Sequence, residues 1–249
     1  MSTIEDQINN LANSVSKNEL TAETFLKNER VNIDAFVKKG LKEIQKLSNS
    51  KNQKSTSTNK SQLFFKRVVL AAKIADELHN EPTFGHVKFQ KLVYLSEQLC
   101  SIDTEKRYVK QAAGPYDRKF MHSIDSALKT QKWFEVKKEN GKYKRYIYTP
   151  LENVQNYNRY YLSYFSKDIE KINWLISTFK SSKTNSVELI ATLFSCWKEI
   201  INSEDEFSEE LLIKSFYEWS NEKKKFDIKD VRTGIEWMKI KNLVPSPSA

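Results

Sequence analysis

Two amphipathic segments open the chain. In each, aliphatic residues recur every three or four positions, which is the spacing of one face of an α-helix. The first set is Ile4, Ile8, Leu11 and Val15, and the second, behind a candidate N-cap at Thr21, is Ile33, Val37, Leu41 and Ile44. We therefore expect a helical arm over residues 1–47. So narrow a stripe fits a coiled-coil-like contact with a partner or a second copy, and it equally fits packing against its own domain.

A polar segment separates this arm from the rest of the chain. Residues 48–61, SNSKNQKSTSTNKS, contain no aliphatic or aromatic side chain. Such a segment has no apolar surface to bury, so it cannot join a core. The pattern predicts a flexible basic linker and a domain boundary.

After the linker the apolar density rises, and the pattern predicts two helices separated by a break. FFKRVVLAAKIADELH is amphipathic, EPTFG interrupts it at Pro82 and Gly85, and HVKFQKLVYLSEQLCSI restores the helical spacing. Residues 108–114, YVKQAAG, fit a short strand or a loop that ends in a turn at Gly114-Pro115. A third helix is expected from Tyr116 to Lys129.

The clearest β pattern covers residues 132–150, KWFEVKKENGKYKRYIYTP. Polar and apolar side chains alternate from Trp133 to Lys137, Asn140-Gly141 suits a two-residue type I′ turn, and the alternation resumes from Tyr143 to Thr149. A helix followed by a basic hairpin is the order found in a winged helix. The hairpin is therefore expected to be the wing.

Beyond Pro150 the spacing is helical again to the end of the chain. A helix start is expected at Ser208, and Asn242 and Pro245 mark the last stop. We predict a mainly α fold with a small β-hairpin, in which winged-helix-like helical domains follow a helical arm. The expected order is the arm at 1–47, the linker at 48–61, a winged-helix-like domain with the basic hairpin at 62–150, and a C-terminal helical domain at 151–249 that packs on it.

Composition narrows the class of protein. Five Gly and five Pro in 249 residues are few for a β-sandwich or a Gly-rich α/β enzyme, whereas 39% hydrophobic residues are enough for a core. Cys100 and Cys196 lie far apart in apolar surroundings, so we expect free core thiols. The start of the chain lacks the pattern of a signal peptide, and no segment reaches 18 consecutive apolar residues. We expect a cytoplasmic protein with no membrane partner.

The positive charge is concentrated in the middle of the chain. The whole chain has a net charge of +9, and residues 51–150 carry twenty basic and ten acidic side chains. Any polyanion should therefore be met there, although a solvated Lys-rich surface would give the same balance.

The hairpin is the strongest candidate for a DNA contact, because its basic residues greatly outnumber its acidic ones and alternate with tyrosines. Cations on a hairpin can follow the phosphate backbone, and the aromatic rings can either pack beneath them or stack on bases. The alternative is that the tyrosines face the core and the lysines only protect an edge strand. The candidate DNA-binding residues are Lys132, Lys137, Lys138, Lys142, Lys144 and Arg145.

Catalysis finds little support in the residue types present. Asp125 followed by Glu135-Val-Lys137 resembles a metal-dependent nuclease pattern, but Asp125 falls inside an expected helix rather than at the end of a strand. The three histidines have neither a Cys nor a second His at metal-ligand spacing, and no Gly-rich phosphate loop or nucleophile elbow occurs. We therefore expect no enzyme activity, no metal and no cofactor.

The order of the motifs in the middle of the chain carries a resemblance. FGHVKFQKLVYLSEQL, YVKQAAGPYDRKF and IDSALKTQKWFEV follow one another, and ELIATLFSCWKEIINSE, EELLIKSFYEWSNEKKKF and IEWMKIKNLVP come later. This combination, from Leu63 to Pro245, resembles the C-terminal helical module of bacterial type I restriction-modification specificity subunits. More distantly it resembles the Panacea domain of antitoxins, where a KLQKLLY-type helix precedes a Gly-Pro turn.

The resemblance implies a non-catalytic role. Specificity subunits direct methyltransferase and nuclease subunits to DNA, and Panacea antitoxins bind and neutralise a toxin. Specificity subunits also carry two large target-recognition domains, for which this chain has no room, so we expect an accessory rather than a sequence-specific protein. The motif carries over to Lys88, Gln90, Lys91, Leu92, Tyr94, Gly114, Pro115 and Tyr116, either as ligand contacts or as purely structural residues.

The expected function is therefore a non-catalytic DNA-associated component of a bacterial restriction-modification or related defence system. Its partners would be the DNA backbone and a restriction, methyltransferase or toxin protein, with self-association through residues 4–47 as a further possibility. The alternative is a protein-binding antitoxin or adaptor that does not contact DNA.

Overall fold

The computed structural model describes residues 59–104, 107–140, 144–203 and 206–246. From Leu63 onward the described residues belong to one compact unit. The predicted arm at 1–47, and with it the proposed self-association, lies outside the described residues, as does most of the predicted linker. The last residues of that linker, 59–61, are helical.

The first two helices follow the predicted pattern. Helix α1 covers residues 59–78, and its apolar face from Val68 to Leu78 is buried. Helix α2, His86–Leu99, begins after Gly85, which has an extended backbone and provides no side-chain cap. The break between the helices at Pro82 and Gly85 was predicted correctly.

A small hairpin follows α2, and its turn lies at a different position from the one predicted. Strands β1 (Val109–Gln111) and β2 (Gly114–Tyr116) pair antiparallel, with Gln111 opposite Gly114. The turn therefore lies at Ala112 and Ala113, and the prediction of a turn at Gly114-Pro115 was wrong. Gly114 is still required locally, because its φ of +103° is open to glycine but strained for other residues.

Helix α3, Arg118–Thr130, begins two residues later than predicted. Tyr116 belongs to β2, and Asp117 caps the helix by accepting a hydrogen bond from the backbone N–H of Phe120 at 3.0 Å. An Asp at the N-cap satisfies a donor that would otherwise lack an intrahelical partner.

The predicted hairpin is present as β3 (Phe134–Asn140) and β4 (Lys144–Pro150). Its register pairs Asn140 with Lys144, whereas a two-residue turn at Asn140-Gly141 would pair Glu139 with Lys142. The predicted type I′ turn is therefore wrong, because the register leaves residues 141–143 between the strands.

Five further α-helices and two short 3₁₀ segments complete the described chain. Ser208 begins one of the helices as predicted, accepting a hydrogen bond from the N–H of Leu211. The helices are α4 (Tyr157–Tyr164), α5 (Ile169–Phe179), α6 (Thr184–Asn202), α7 (Glu209–Glu218) and α8 (Ile228–Ile240), and the 3₁₀ segments are Val154–Asn156 and Asn221–Lys225.

The long helix α6 is central to the packing. It contacts α2, β2, α7 and α8, and its buried residues include Val187, Leu193 and Trp197. One continuous core joins these helices to α1 and to the inner side of the β3–β4 hairpin. The fold is thus mainly helical with two small antiparallel hairpins that form separate sheets.

Among the described residues, no helix combines the length and the apolar character needed to cross a membrane.

Candidate nucleic-acid interface

The inner face of the β3–β4 hairpin is attached to α2 by aromatic contacts. Tyr148 is buried, and its hydroxyl lies 3.1 Å from Nδ1 of His86. The ring of His86 stacks on Tyr146 with centroids 4.3 Å apart. Burial lowers the pKa of His86 to about 4, so its ring is neutral at pH 7. Tyr146 and Tyr148 therefore pack beneath the hairpin, as in the structural alternative considered from the sequence.

The outer face of the hairpin carries charges. The register places Glu135, Lys137 and Glu139 on one side of β3, opposite to the side of Phe134 and Val136. The carboxylate of Glu135 accepts a hydrogen bond from Lys137, with Oε2 and Nζ 2.9 Å apart. This face points away from the aromatic contacts and is accessible to a ligand.

The structure shows three of the six candidate DNA-binding side chains, and all three are exposed: Lys132, Lys137 and Lys138. Lys138 pairs with Tyr146 in the register and so lies on the side of Val136, not on the outer face. Lys132 pairs with the exposed Glu152, with Nζ and Oε1 2.8 Å apart. Lys142 lies outside the described residues, and so do the side chains of Lys144 and Arg145.

Helix α3 adds a basic face that we did not predict. Its exposed positions fall within about a third of the helix circumference and carry only cationic, imidazole and hydroxyl groups. The helix has a single carboxylate, Asp125, which is half-buried. Helical spacing from the N-cap at Asp117 would have revealed this face in the sequence. The residues are Arg118, Lys119, His122, Ser126, Lys129 and Thr130.

Glu135 joins the basic face of α3 to the outer face of the hairpin. Its Oε1 lies 2.9 Å from Nζ of Lys129 on α3, while its Oε2 binds Lys137 on β3. These hydrogen bonds hold the pKa of Glu135 below its usual range, so it is ionised at neutral pH. The exposed face of α3 and the outer face of the hairpin therefore form one continuous surface, which we call the α3–hairpin surface.

A buried ion-pair network fixes the N-terminus of α3. The guanidinium of Arg67 on α1 donates to Glu97 at 2.6 Å and to Asp117 at 2.7 Å, and all three side chains are buried. Tyr108 donates to the same Glu97 at 2.6 Å, and the ring of Phe120 lies 3.9 Å from the guanidinium carbon. Because Asp117 caps α3, Arg67 sets the position of the helix that carries the basic face.

The residues of the family-like motif are mostly buried and structural. The Nζ of Lys91 donates to the carbonyl oxygen of Pro115 at 2.7 Å, which joins the two halves of the motif. Lys88 donates to the carbonyl oxygens of Lys180 and Ser182, behind the C-terminus of α5. Of the remaining motif residues, Leu92, Tyr94 and Gly114 are buried, and Gln90 and Tyr116 are partly buried.

A second charge cluster, with Glu188 and Lys223 buried at its centre, lies beside Lys91. The carboxylate of Glu188 on α6 accepts hydrogen bonds from Lys223 at 2.7 Å and from Lys225 at 3.0 Å. Burial lowers the pKa of Lys91 to about 7, and the nearby ammonium of Lys223 adds to this effect. The sequence did not reveal this cluster, because its members are far apart along the chain.

The nuclease-like pattern does not assemble into a site. Asp125 lies on α3 near the inner-face residue Tyr148, and burial raises the pKa of its carboxyl to about 6. Glu135 is on the outer face and is engaged by two lysines. Within the described ranges, no three His, Cys, Asp or Glu side chains are grouped so that they could hold a metal ion.

The remaining reactive groups are also placed in structural positions. Neither Cys100 nor Cys196 forms a disulfide, and burial raises the pKa of both thiols to about 12. The ring of His79 bonds backbone carbonyls at the end of α1, and His122 accepts a hydrogen bond from Arg118 on the surface of α3.

No family model matches this chain, and no curated protein matches it either.

Proposed function

We propose that this protein binds double-stranded DNA through the α3–hairpin surface and has no catalytic step of its own. The observation that carries the proposal is the exposed face of α3, which presents cations and hydroxyls along its whole length with no exposed carboxylate. Such a face is suited to phosphate contacts and to polar base edges.

Duplex DNA fits this surface better than single-stranded nucleic acid does. Proteins that bind single strands offer exposed aromatic rings on which bases stack. Here Tyr148 is buried and Tyr146 is stacked on His86, so neither ring is free to receive a base. A 13-residue helix is about 20 Å long, and the major groove admits an α-helix. In this arrangement α3 acts as a recognition helix and the hairpin as the wing of a winged-helix-like unit.

We propose further that the protein is an accessory component of a bacterial restriction-modification or related defence system. The support for this is the ordered resemblance of residues 63–245 to the C-terminal module of type I specificity subunits. A separate partner subunit would then supply sequence recognition or catalysis. This proposal concerns the biological setting and is independent of how the α3–hairpin surface meets DNA.

The test is fluorescence anisotropy with a labelled random-sequence duplex across a salt series. We expect the logarithm of the association constant to fall linearly with the logarithm of the salt concentration, with a slope of about −0.9 for each phosphate neutralised. Reversing the charge of the helix (Arg118→Glu with Lys119→Glu) or of the hairpin (Lys132→Glu with Lys137→Glu) should lower affinity at least roughly 10-fold and make the slope shallower.

A matched control reverses two exposed lysines in the C-terminal part of the chain, Lys224→Glu with Lys229→Glu. It changes the net charge by the same amount and should alter affinity far less. Equal losses in all three variants would show only a general charge effect. No binding of the wild type at low salt would refute DNA binding and favour the protein-binding antitoxin or adaptor.

A further inference from the structure

Glu135 occupies an unusual place on the α3–hairpin surface. It is the acidic group that neutralises two of the cations expected to meet phosphate, with both its oxygens 2.9 Å from a lysine Nζ. Lys129 and Lys137 are about two-thirds exposed, whereas Glu135 is only 26% exposed. The carboxylate thus lies beneath two exposed cations at the junction of α3 and the hairpin.

We propose that Glu135 is an intramolecular competitor of the DNA phosphates, which holds Lys129 and Lys137 in the free protein and limits the affinity for DNA. This inference rests on the proposed function. It assigns Glu135 a regulatory role at the same surface, and it makes the removal of a single charged side chain a gain of function.

The competition follows from the geometry. A lysine ammonium that bonds Glu135 must leave this carboxylate, or share it, before it can bond a phosphate oxygen. Exposed ion pairs are individually weak, so the lysines can exchange partners when a phosphate arrives. Each pair broken nevertheless reduces the net gain from DNA binding. The carboxylate also repels the phosphate backbone over a distance of about a Debye length.

The position of Glu135 is also suited to keeping DNA binding weak and reversible. Glu135 reaches Lys129 on α3 and Lys137 on β3, so it restrains the cations of both elements at once. By contrast, Glu152 pairs with Lys132 alone, at the start of the hairpin. Loss of Glu135 should therefore have the larger effect.

The experiment is anisotropy of the full-length protein with the random-sequence duplex, comparing the wild type with Glu135→Gln. The amide keeps the shape of the side chain and removes its charge. We expect Glu135→Gln to bind DNA roughly 3- to 30-fold more tightly at about 0.1 M salt, corresponding to two exposed ion pairs that no longer need to be broken. The gain should shrink as the salt concentration rises, because exposed pairs are screened.

A double-mutant cycle separates competition from the general effect of one negative charge. In a Lys129→Met, Lys137→Met background, Glu135→Gln should change the affinity less than 2-fold, because the lysines it neutralises are gone. An equal gain in both backgrounds would overturn the inference. So would unchanged or weaker binding by Glu135→Gln, which would make Glu135 a residue that orients the lysines.

Failure of this inference is distinguishable from failure of the proposed function. If the wild type binds and the hairpin and helix reversals weaken it, but Glu135→Gln does not tighten it, then only the role of Glu135 is refuted. If neither the wild type nor Glu135→Gln binds at low salt, then DNA binding itself is refuted. Circular dichroism spectra that coincide for the two proteins confirm that folding is unchanged.

Discussion

The ammonium of Lys91 lies 2.7 Å from the carbonyl oxygen of Pro115, deep in the core between α2 and β2. Lys91 is 1% exposed, so this lysine contributes nothing to the surface charge. The hydrogen bond connects the helix half of the motif to its Gly-Pro half, 24 residues further along the chain. This hydrogen bond between α2 and β2 accounts for the spacing of the motif, and no ligand is needed to explain it.

The first prediction concerns the pH dependence that Lys91 adds to stability. Its pKa in the folded state is about 7, against an unfolded value near 10.5. The unfolded chain therefore binds more protons between these values, so the contribution of Lys91 to stability rises with pH across this window and is lost as pH falls toward 7. From pH 6.5 to pH 8.5, the unfolding free energy of the wild type in urea should increase by about 1–2 kcal/mol relative to that of Lys91→Met. A constant difference between the two proteins would contradict this.

The second prediction concerns the buried pair of carboxylates held by Arg67. Replacing Arg67 by Met leaves Glu97 and Asp117 buried without their cation, which should cost about 3–5 kcal/mol of unfolding free energy. The double variant Arg67→Met, Glu97→Gln should recover part of this loss, because one uncompensated charge is removed. Chemical denaturation of the two variants measures both values. Additive losses would argue against coupling between Arg67 and Glu97.

The third prediction concerns the start of β2. A Cβ added at Gly114 would lie 2.6 Å from Oγ1 of Thr192, and the φ of +103° is itself unfavourable for alanine. We expect Gly114→Ala to cost at least about 2 kcal/mol in thermal or urea unfolding. Adding Thr192→Ala removes the close contact but not the backbone strain, so recovery should be partial. Full recovery would show that the contact alone matters.

The regular elements could be predicted from the sequence, because they depend on local spacing. The helices α1 and α2 and the β3–β4 hairpin follow from apolar residues at helical or alternating positions. The turn at Ala112 and Ala113 was missed, because Gly-Pro is a strong turn pattern and Ala-Ala is not. In β2 the glycine is required by its close approach to Thr192 instead.

The buried charges could not be predicted, because they depend on partners that are remote in sequence. Arg67 pairs with residues 30 and 50 positions away, and Glu188 pairs with Lys223 at 35 positions. From sequence alone these side chains count toward a solvated or DNA-facing charge. Burial removes from the surface three cations of the middle of the chain, Arg67, Lys88 and Lys91, but also two carboxylates, Glu97 and Asp117. The positive excess on the surface there is therefore smaller by one charge than the sequence suggests. The basic face of α3 lies within a single helix and needs no remote partner. It was not predicted because apolar residues lie between its cations in the sequence.

The fourth prediction is that Asp125 affects the stability of the protein and has no role at the α3–hairpin surface. Burial raises the pKa of its carboxyl to about 6, above an unfolded value near 3.8, and its Oδ1 has no hydrogen-bond partner among the described residues. The stability that this group supplies is present below pH 3.8 and is lost as pH rises through 6. Asp125→Asn should therefore be more stable than the wild type at pH 7.5, by about 1 kcal/mol after allowing for solvent screening.

The control for Asp125 is DNA affinity. Because Asp125 is directed toward the inner face of the hairpin, Asp125→Asn should change binding to the duplex less than 2-fold. A loss of stability at pH 7.5, or a large change in DNA affinity, would contradict this placement.

The fifth prediction concerns the attachment of the hairpin. His86 holds β4 through its hydrogen bond to Tyr148 and its stacking on Tyr146, and its ring is neutral at pH 7. His86→Leu removes both contacts without changing the net charge, so we expect a loss of about 1–2 kcal/mol in unfolding free energy and faster hydrogen exchange in β4.

If the hairpin contacts DNA as a positioned wing, the affinity of His86→Leu for DNA should also fall roughly 3- to 10-fold, because the free hairpin must be ordered on binding. The salt slope should stay near the wild-type value, since no lysine has been removed. Unchanged affinity with faster exchange in β4 would show that the hairpin need not be held by α2 to meet the duplex.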